Sequence, residues 1–351
     1  DIIIYDLISL HAKYLIKILH TKYEQKISKL KPPRVIKMSP SFSFKTGVFP
    51  DENDMKFYKK RNDRWFNFIF IIQTVRQIWF SLKYWIDIYN PLKFFFSNGY
   101  EELEICTIFP EFQPRVEQFD SSVKFVGSCI KEEIRNVIIE DKQLKNIFNK
   151  FKPINPLNSI SDLRNDESKL FYCSLGTVFN NNIFVFDAVI DAFTKINPQY
   201  NDSFLVIGAG KPCFKQFQHR IQYENYKIAD NVLILENAPQ IEILKRASLF
   251  ITHCGMSSAM ESIQYACPII CIPIQADQPM VAHRLVDQLN LGKQFDPLSL
   301  NSSELVKAII EILSDNSYLK RMIEMSNISR KSNGSVNGAN EIRRLLFNLD
   351  K

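Results

Sequence analysis

The second half of the chain alternates short apolar runs with longer stretches of helical periodicity. Continuous apolar runs predict buried strands at residues 170–175, 204–207, 231–235, 249–252 and 269–272. The stretches with helical spacing predict helices at residues 183–196, 214–226, 241–246, 257–266, 279–289 and 302–313. Apolar strands that alternate with helices are typical of a parallel sheet covered on both faces. This half is therefore predicted to be a Rossmann-like α/β domain.

The first half has a different texture. A β-branched run at residues 1–6 predicts a buried strand that ends at Asp6, and a helix is expected at 9–27. Residues 54–90 are rich in aromatic side chains among basic ones. Two interpretations stay open for that region: amphipathic helices that pack into the core, or an apolar wall for a substrate.

A stretch rich in Pro, Asn and Ser before residue 168 has the composition of a linker. Together with the change in texture, it predicts a first domain at residues 1–152, a linker at 153–168 and a second domain at 169–351. The chain has 351 residues, which is long enough for two separate cores.

Composition narrows the class of protein. The chain is 46% hydrophobic and 23% charged, which excludes a disordered, collagen-like or coiled-coil protein. Its 44 basic and 38 acidic residues give a net charge of +6, spread along the chain. This mild balance suits an anionic small ligand, and we expect no nucleic-acid partner because no basic surface stands out.

The seven cysteines are widely spaced, and none forms a C-x-x-C pair. We therefore expect neither a zinc site nor a redox motif, but buried thiols in a reducing compartment, the cytoplasm. The most apolar stretch, at residues 65–75, is too short to span a bilayer, so no transmembrane segment is expected.

Candidate chemistry follows the ends of the predicted strands, where a doubly wound sheet binds its ligands. The loop with Ser174, Gly176 and Thr177 leads from a strand into a helix, so it offers backbone N–H groups to a phosphate. Asp277 and Gln278 follow another strand, and a carboxylate beside a carboxamide suits sugar hydroxyls. Helix capping is the alternative for that pair.

The densest cluster is His253, Gly255, Ser257, Ser258 and Glu261, where a strand is followed by a glycine turn and a helix start. An imidazole beside free helix N–H groups makes a cradle for a diphosphate. The carboxylate one turn into the helix is placed to accept ribose hydroxyls. The alternative is a capping box formed by the serine and glutamate three positions apart, serving only the helix. We favour the binding site, because other candidate loops converge on the same sheet edge.

These residues carry a resemblance to a known family. The run from Ala238-Pro-Gln240 through His253-Cys-Gly255 to Asp277-Gln278 resembles the donor-binding signature of UDP-glycosyltransferases, glycosyltransferase family 1, and is most similar to the macrolide-type subgroup. Phe112-Gln-Pro114 and the run that starts at Ser174 stand in the expected order. The resemblance implies the GT-B fold, with two Rossmann-like domains facing across a cleft and the N-terminal one incomplete in this chain.

The family implies a role for each matching residue. The donor-binding positions are Ser174, Gly176, Thr177, Ala238, Gln240, His253, Gly255, Ser257, Ser258, Glu261, Asp277 and Gln278. Among them, Gln240 and its loop pack the uracil and ribose, and Glu261 binds the ribose hydroxyls. His253 contacts the diphosphate, together with Thr177 and the serine backbone. Asp277 and Gln278 hold the transferred sugar.

The resemblance also implies the reaction. Such enzymes transfer a sugar with inversion: a His in the N-terminal domain deprotonates the acceptor and an Asp orients it, without metal. Asp6 matches that Asp, whereas the family's His belongs to an earlier strand and is expected to precede Asp1. The expected donor is a UDP-hexose, UDP-glucose by analogy at Asp277-Gln278, used as a co-substrate with no cofactor.

The expected acceptor is a small apolar alcohol or phenol, such as a lipid or secondary metabolite. The absence of a matching His among these residues motivates an alternative, a non-catalytic UDP-sugar-binding fragment or pseudoenzyme. A nucleotide-sugar epimerase is a weaker third possibility.

Overall fold

The structure is a computed structural model in which the chain forms two compact units. The first comprises residues 1–129 and 332–351, and the second comprises residues 130–331. The structure describes residues 2–6, 10–26, 28–44, 49–50, 100–130, 139–154, 168–177, 181–196, 198–200 and 202–347. The aromatic-rich region at 54–90 and most of the linker predicted at 153–168 lie outside these residues.

Strands and helices alternate along most of the described chain. The strands are β1 (Ile2–Asp6), β2 (Arg34–Ser39), β3 (Leu103–Cys106), β4 (Val123–Phe125), β5 (Leu170–Ser174), β6 (Phe204–Gly208), β7 (Val232–Leu235), β8 (Leu249–Thr252), β9 (Ile269–Cys271) and β10 (Gly292–Gln294). The helices are α1 (Leu10–Glu24), α2 (Lys142–Lys150), α3 (Ile183–Ile196), α4 (Gly210–Tyr223), α5 (Gln240–Leu244), α6 (Met256–Gln264), α7 (Gln278–His283), α8 (Ser302–Ser314), α9 (Asn316–Lys331) and α10 (Gly334–Phe347). A π-helical turn, Arg284–Gln288, follows α7.

The first unit is built on a parallel sheet with strand order β1-β2-β3-β4. Apolar side chains on one face, among them Ile36 and Ile105, pack against Ile342 and Leu345 of α10. In a separate cluster, Val35 packs with Tyr5 and with residues of α1. Within the described residues, the strand predicted at 1–6 and the helix predicted at 9–27 are present. The strand is less buried than predicted, because Tyr5 is buried but Ile4 and Asp6 are exposed.

A row of polar side chains crosses the sheet of the first unit. Tyr5, Lys37 and Glu104 stand opposite one another in register on three neighbouring strands. The Lys37 Nζ lies 2.5 Å from Glu104 Oε2, and the Ser43 hydroxyl donates to Glu104 Oε1 at 2.9 Å. Burial lowers the pKa of nearby Lys13 to about 8. Removing two charges from water costs free energy. The attraction between Lys37 and Glu104 and the hydrogen bond from Ser43 offset part of that cost.

The second unit holds a parallel sheet with strand order β10-β9-β8-β5-β6-β7. All five strands predicted for this half are present, and their ends lie within about one residue of the predicted ones. On one face, strand residues such as Cys173 and Ile207 pack against Val189 and Phe193 of α3 and Ile309 of α8. The edge strand β10 was not expected from the sequence.

The boundaries of the two units differ from those of the domains predicted at 1–152 and 169–351. Helix α2 belongs to the second unit: Leu144 and Ile147 are buried, and Gln143 donates to the Asp230 carbonyl at 3.1 Å. Conversely, α10 belongs to the first unit, where Asn337 donates to the Val126 carbonyl at 2.9 Å. Contacts distant in sequence decide both memberships, and composition does not report them.

All seven cysteines are free thiols, as expected, and six of them are buried, with Cys129 exposed. Among the helices that the structure describes, none is both long and apolar enough to cross a bilayer.

Candidate functional site

The predicted site residues of the second unit follow strands that end at one edge of its sheet. Strands β8, β5 and β6 are neighbours, and their last residues are Thr252, Ser174 and Gly208. The carboxyl ends of parallel strands are where open α/β sheets bind ligands. The loops that leave these strands therefore bring the candidate residues together.

His253 directly follows β8 and is held between two glycines. A Cβ built on Gly176 would lie 2.6 Å from both Cε1 and Nε2 of the imidazole, and one on Gly255 would lie 2.7 Å from Nε2. Only glycine admits so close an approach at these two points. The Thr252 hydroxyl lies 3.2 Å from His253 Nδ1 and fixes the ring on its other side.

The imidazole of His253 is neutral near pH 7. Burial lowers its pKa to about 4, and a backbone hydrogen bond with Ser174 opposes the shift without reversing it. A neutral imidazole has one N–H to donate. It can therefore meet an anionic ligand only as a hydrogen-bond donor and not as a cation, and its one N–H must then turn from the Ser174 backbone to the ligand.

Helix α6 begins next to this ring, with a glycine at its N-cap position. Its N-cap is Gly255, which makes no side-chain cap hydrogen bond. The first N–H groups of a helix lack partners within the helix and favour negative charge. Ser257 is exposed and Ser258 is buried in that first turn. An imidazole N–H beside such a terminus suits a phosphate group.

Glu261 and Ser258 both contact the side chain of Gln240, the first residue of α5. The Gln240 Nε2 donates to Glu261 Oε2 at 2.6 Å and to Ser258 Oγ at 3.3 Å. The capping box considered for Ser258 and Glu261 is therefore wrong. The helix starts at Met256, so Ser258 lies inside its first turn and Glu261 points to the start of α5.

Sequence reasoning missed a further member of this cluster, Tyr172 of β5. Its hydroxyl donates to Gln240 Oε1 at 3.2 Å, so the carboxamide is held at both ends. The ring is buried and stacks on Phe250 of β8, with centroids 4.9 Å apart. A Cβ on Gly208 would lie 3.1 Å from the Tyr172 hydroxyl and 3.1 Å from the Cβ of Ala238. Both side chains therefore close over this glycine.

Known proteins that are similar to this chain are sugar transferases by name. The family described as UDP-glucoronosyl and UDP-glucosyl transferase matches residues 218–333, which include most of the cluster. The uncharacterized UDP-glucosyltransferase YojK of Bacillus subtilis is 30% identical over 256 residues, 73% of this chain and 54% of that protein. The NDP-glycosyltransferase YjiC of Bacillus licheniformis is 28% identical over 73% of this chain and 57% of its own length.

The chain belongs to the UDP-glycosyltransferase family. It spans about half the length of the curated relatives it matches.

Solved structures show the same fold. The calicheamicin glycosyltransferase CalG4 has a TM-score of 0.67 at 19% identity, and the alignment covers 100% of this chain and 76% of CalG4. A UDP-glucose:anthocyanidin 3-O-glucosyltransferase, solved in complex with UDP, has a TM-score of 0.58 at 14% identity over 97% of this chain and 74% of that one. The chain thus has the expected GT-B fold, an α/β fold with Rossmann-like domains.

Asp277 and Gln278 stand at the start of α7. Asp277 is the N-cap residue, yet its side chain makes no cap hydrogen bond, so capping does not explain it. Gln278 is buried, and its Oε1 accepts from the backbone N–H groups of Ile274 at 2.7 Å and Gln275 at 2.9 Å. Its carboxamide oxygen shapes the loop, which leaves its Nε2 as the group suited to a sugar hydroxyl.

The remaining predicted residues lie at the ends of other strands. Thr177 is exposed after β5, and Ala238 stands beside Gly208. Asp6 is in the first unit, where it is the last residue of β1, exposed and opposite Met38 in register. All the predicted donor-binding residues thus lie in the second unit, and the predicted catalytic residue lies in the first.

Proposed function

We propose that this chain binds a UDP-sugar at the carboxyl edge of its second sheet and serves the transfer of that sugar to an acceptor hydroxyl. Two neighbouring features together carry the proposal. His253 is neutral and lies beside the N-terminus of α6, and Glu261 of the same helix contacts Gln240 at the start of α5. The first suits a diphosphate, and the second suits ribose hydroxyls. UDP in the structure of a fold neighbour supports this choice of nucleotide.

We assign the diphosphate, the ribose and the transferred sugar to different residues. His253, Thr177 and the first N–H groups of α6 receive the diphosphate, where negative charge is greatest. The carboxylate of Glu261 is an acceptor only, so it suits the ribose hydroxyl donors. Asp277 and the Nε2 of Gln278 hold the hydroxyls of the transferred sugar. As in the family that the chain resembles, the scheme relies on general-base catalysis and uses no metal.

The finer parts of the proposal come from the family resemblance. The transferred sugar is a hexose, glucose by analogy with the Asp277-Gln278 pair, and the relatives named as glucosyltransferases support it. Transfer proceeds with inversion to a small apolar alcohol or phenol. Asp6 orients the His that deprotonates the acceptor, so the first unit serves the acceptor. We place this reaction in the cytoplasm, in keeping with the free thiols.

Calorimetry with UDP, followed by an assay of UDP release from UDP-glucose with a panel of phenols and alcohols, tests the proposal. The full chain should bind UDP. Asp277→Ala should abolish sugar transfer and change UDP affinity less than about threefold, since Asp277 is assigned to the sugar. Asp191→Ala is the matched control, because this exposed carboxylate forms an ion pair with Lys195 one turn along α3. It should leave both readouts unchanged.

Three results would decide against parts of this scheme. Absence of UDP binding would exclude the donor site itself. Equal loss of transfer and of UDP binding in Asp277→Ala would exclude the sugar contact. Binding of UDP without transfer to any acceptor would favour the alternative function, a non-catalytic UDP-sugar-binding protein. Nuclear magnetic resonance of the product anomer checks inversion.

A further inference from the structure

Tyr172 connects the interior of the second sheet with the candidate ribose site. It lies in the middle of β5, opposite Phe250 of β8, and the two rings are nearly parallel at 10°. Because side chains alternate along a strand, Tyr172 shares a sheet face with Ser174 at the strand end. The stacked ring leaves the hydroxyl aimed at Gln240 Oε1, 3.2 Å away.

A carboxamide has two unlike ends, and both ends of Gln240 are engaged. Its Oε1 accepts from Tyr172, and its Nε2 donates to Glu261 Oε2 and Ser258 Oγ. In the reverse orientation an amide oxygen would face a carboxylate oxygen, and two acceptors repel each other. The Tyr172 hydroxyl thus holds the Oε1 end of Gln240, and the Glu261 carboxylate holds the Nε2 end.

The Tyr172 hydroxyl is suited to this task. Burial raises the pKa of Tyr172 well above its usual range, so the hydroxyl keeps its proton at any physiological pH. The hydroxyl also contacts Ser174, and Gly208 leaves space for it, since a Cβ there would lie 3.1 Å away. The donor is therefore confined on several sides.

We propose that Tyr172 is a positioning residue for the nucleotide: through Gln240 it sets the place of the Glu261 carboxylate and so the affinity for the ribose hydroxyls. This inference rests on the proposed function, because it takes the Glu261 carboxylate to be the ribose contact. Tyr172 itself touches no ligand in this scheme. Its effect should therefore be visible only with ligands that carry the hydroxyls.

The test compares UDP with 2′,3′-dideoxyuridine diphosphate, which lacks both hydroxyls, by calorimetry on the full chain. Tyr172→Phe removes one hydroxyl and keeps the stacked ring. It should weaken UDP binding about fivefold, the effect of one ordinary hydrogen bond, and leave dideoxy-UDP binding unchanged. Tyr318→Phe is the matched control. That buried tyrosine also bonds through its hydroxyl, to Glu311 of α8 at 3.0 Å, but it lies on α9, where its ring contacts Lys293 of the edge strand β10. It should change neither affinity.

A double-mutant cycle with Gln240→Ala then asks whether Tyr172 acts through Gln240. In the Gln240→Ala background, Tyr172→Phe should cost nothing further. Additive losses, equal weakening of both ligands, or unchanged UDP affinity in Tyr172→Phe would each overturn the proposal. Failure of the unmodified chain to bind UDP would instead overturn the proposed function, and this inference with it.

Thermal melting without ligand separates these effects from loss of folding. If Tyr172→Phe does not fold, Gly208→Ala tests the same contact, because it keeps the tyrosine and places a methyl 3.1 Å from its hydroxyl. It should lower the preference for UDP over dideoxy-UDP, and an unchanged preference would overturn the proposal.

Discussion

Gly255→Ala tests the position of His253 with little other change. Gly255 has φ −61° and ψ 144°, a backbone conformation that alanine adopts without strain. The added Cβ would lie 2.7 Å from His253 Nε2, whereas carbon contacts settle at about 3.5 Å or more. The imidazole must therefore move by about 1 Å, away from the ligand position that we assign to it.

The expected loss can be worked out from the hydrogen bond that the ring would make to a phosphate. Bonds to charged groups contribute about 1.5–3 kcal/mol, so losing one should raise the Kd for UDP roughly 10- to 100-fold. Folding should suffer less. Alanine is a poorer N-cap than glycine, so the free energy of unfolding should fall by about 1 kcal/mol.

Calorimetry with UDP on Gly255→Ala, His253→Ala and the double variant is the assay. Once the imidazole is absent, the alanine at position 255 has nothing to displace, so the double variant should bind UDP like His253→Ala alone. Gly176→Ala differs, because its φ of +74° adds backbone strain of about 1–2 kcal/mol that persists without the ring. Near-native UDP affinity in Gly255→Ala, or a double variant with fully additive losses, would refute the reasoning.

Two further predictions concern stability. His253 has its pKa lowered to about 4 in the folded state, against 6.5 in model peptides, so between these values the unfolded chain binds more protons. The free energy of unfolding should fall by up to about 3 kcal/mol as pH drops from 6.5 to 4, measured by urea titration, and an equally steep fall in His253→Gln would contradict this. A Cβ on Gly334 would lie 2.1 Å from the Gly127 carbonyl oxygen, whereas one on Gly338 meets nothing nearer than 3.6 Å. Gly334→Ala should therefore lower Tm by several degrees and Gly338→Ala should not, and equal Tm values would refute the crowding at the start of α10.

Local pattern was enough to predict the second sheet but not its edge strand. The five predicted strands are continuous apolar runs, and most of their residues are buried. Strand β10 has only three residues, among them Lys293 and Gln294, and no apolar run marks it. It forms through backbone pairing with β9, close enough that a Cβ on Gly292 would collide with the Ile269 carbonyl. Close contact between two backbones produces no periodic pattern of apolar residues in the sequence.

The candidate site was predictable where it follows strand ends, because parallel topology collects those ends at one edge. Tyr172 was missed because it stands within an apolar run and was assigned to the core. Tyr172 and Ser174 are two residues apart on one strand, so their side chains share a face of the sheet. That spacing was the available signal. The domain boundaries depend on where α2 and α10 pack, and no local pattern contains that information.

The offset of Glu261 from the helix start explains how one short motif serves a ligand. In a capping box, the serine precedes the helix and the glutamate returns to the free N–H groups of the first turn. In this chain α6 begins at Met256, and at 1.5 Å per residue Glu261 lies about 7.5 Å farther along the axis. Its carboxylate is thus beyond the first-turn N–H groups, and Gln240 holds it toward the start of α5. In the proposed function the helix N-terminus receives the diphosphate and the carboxylate receives the ribose, and this separation comes from a glycine, not a serine, at the cap.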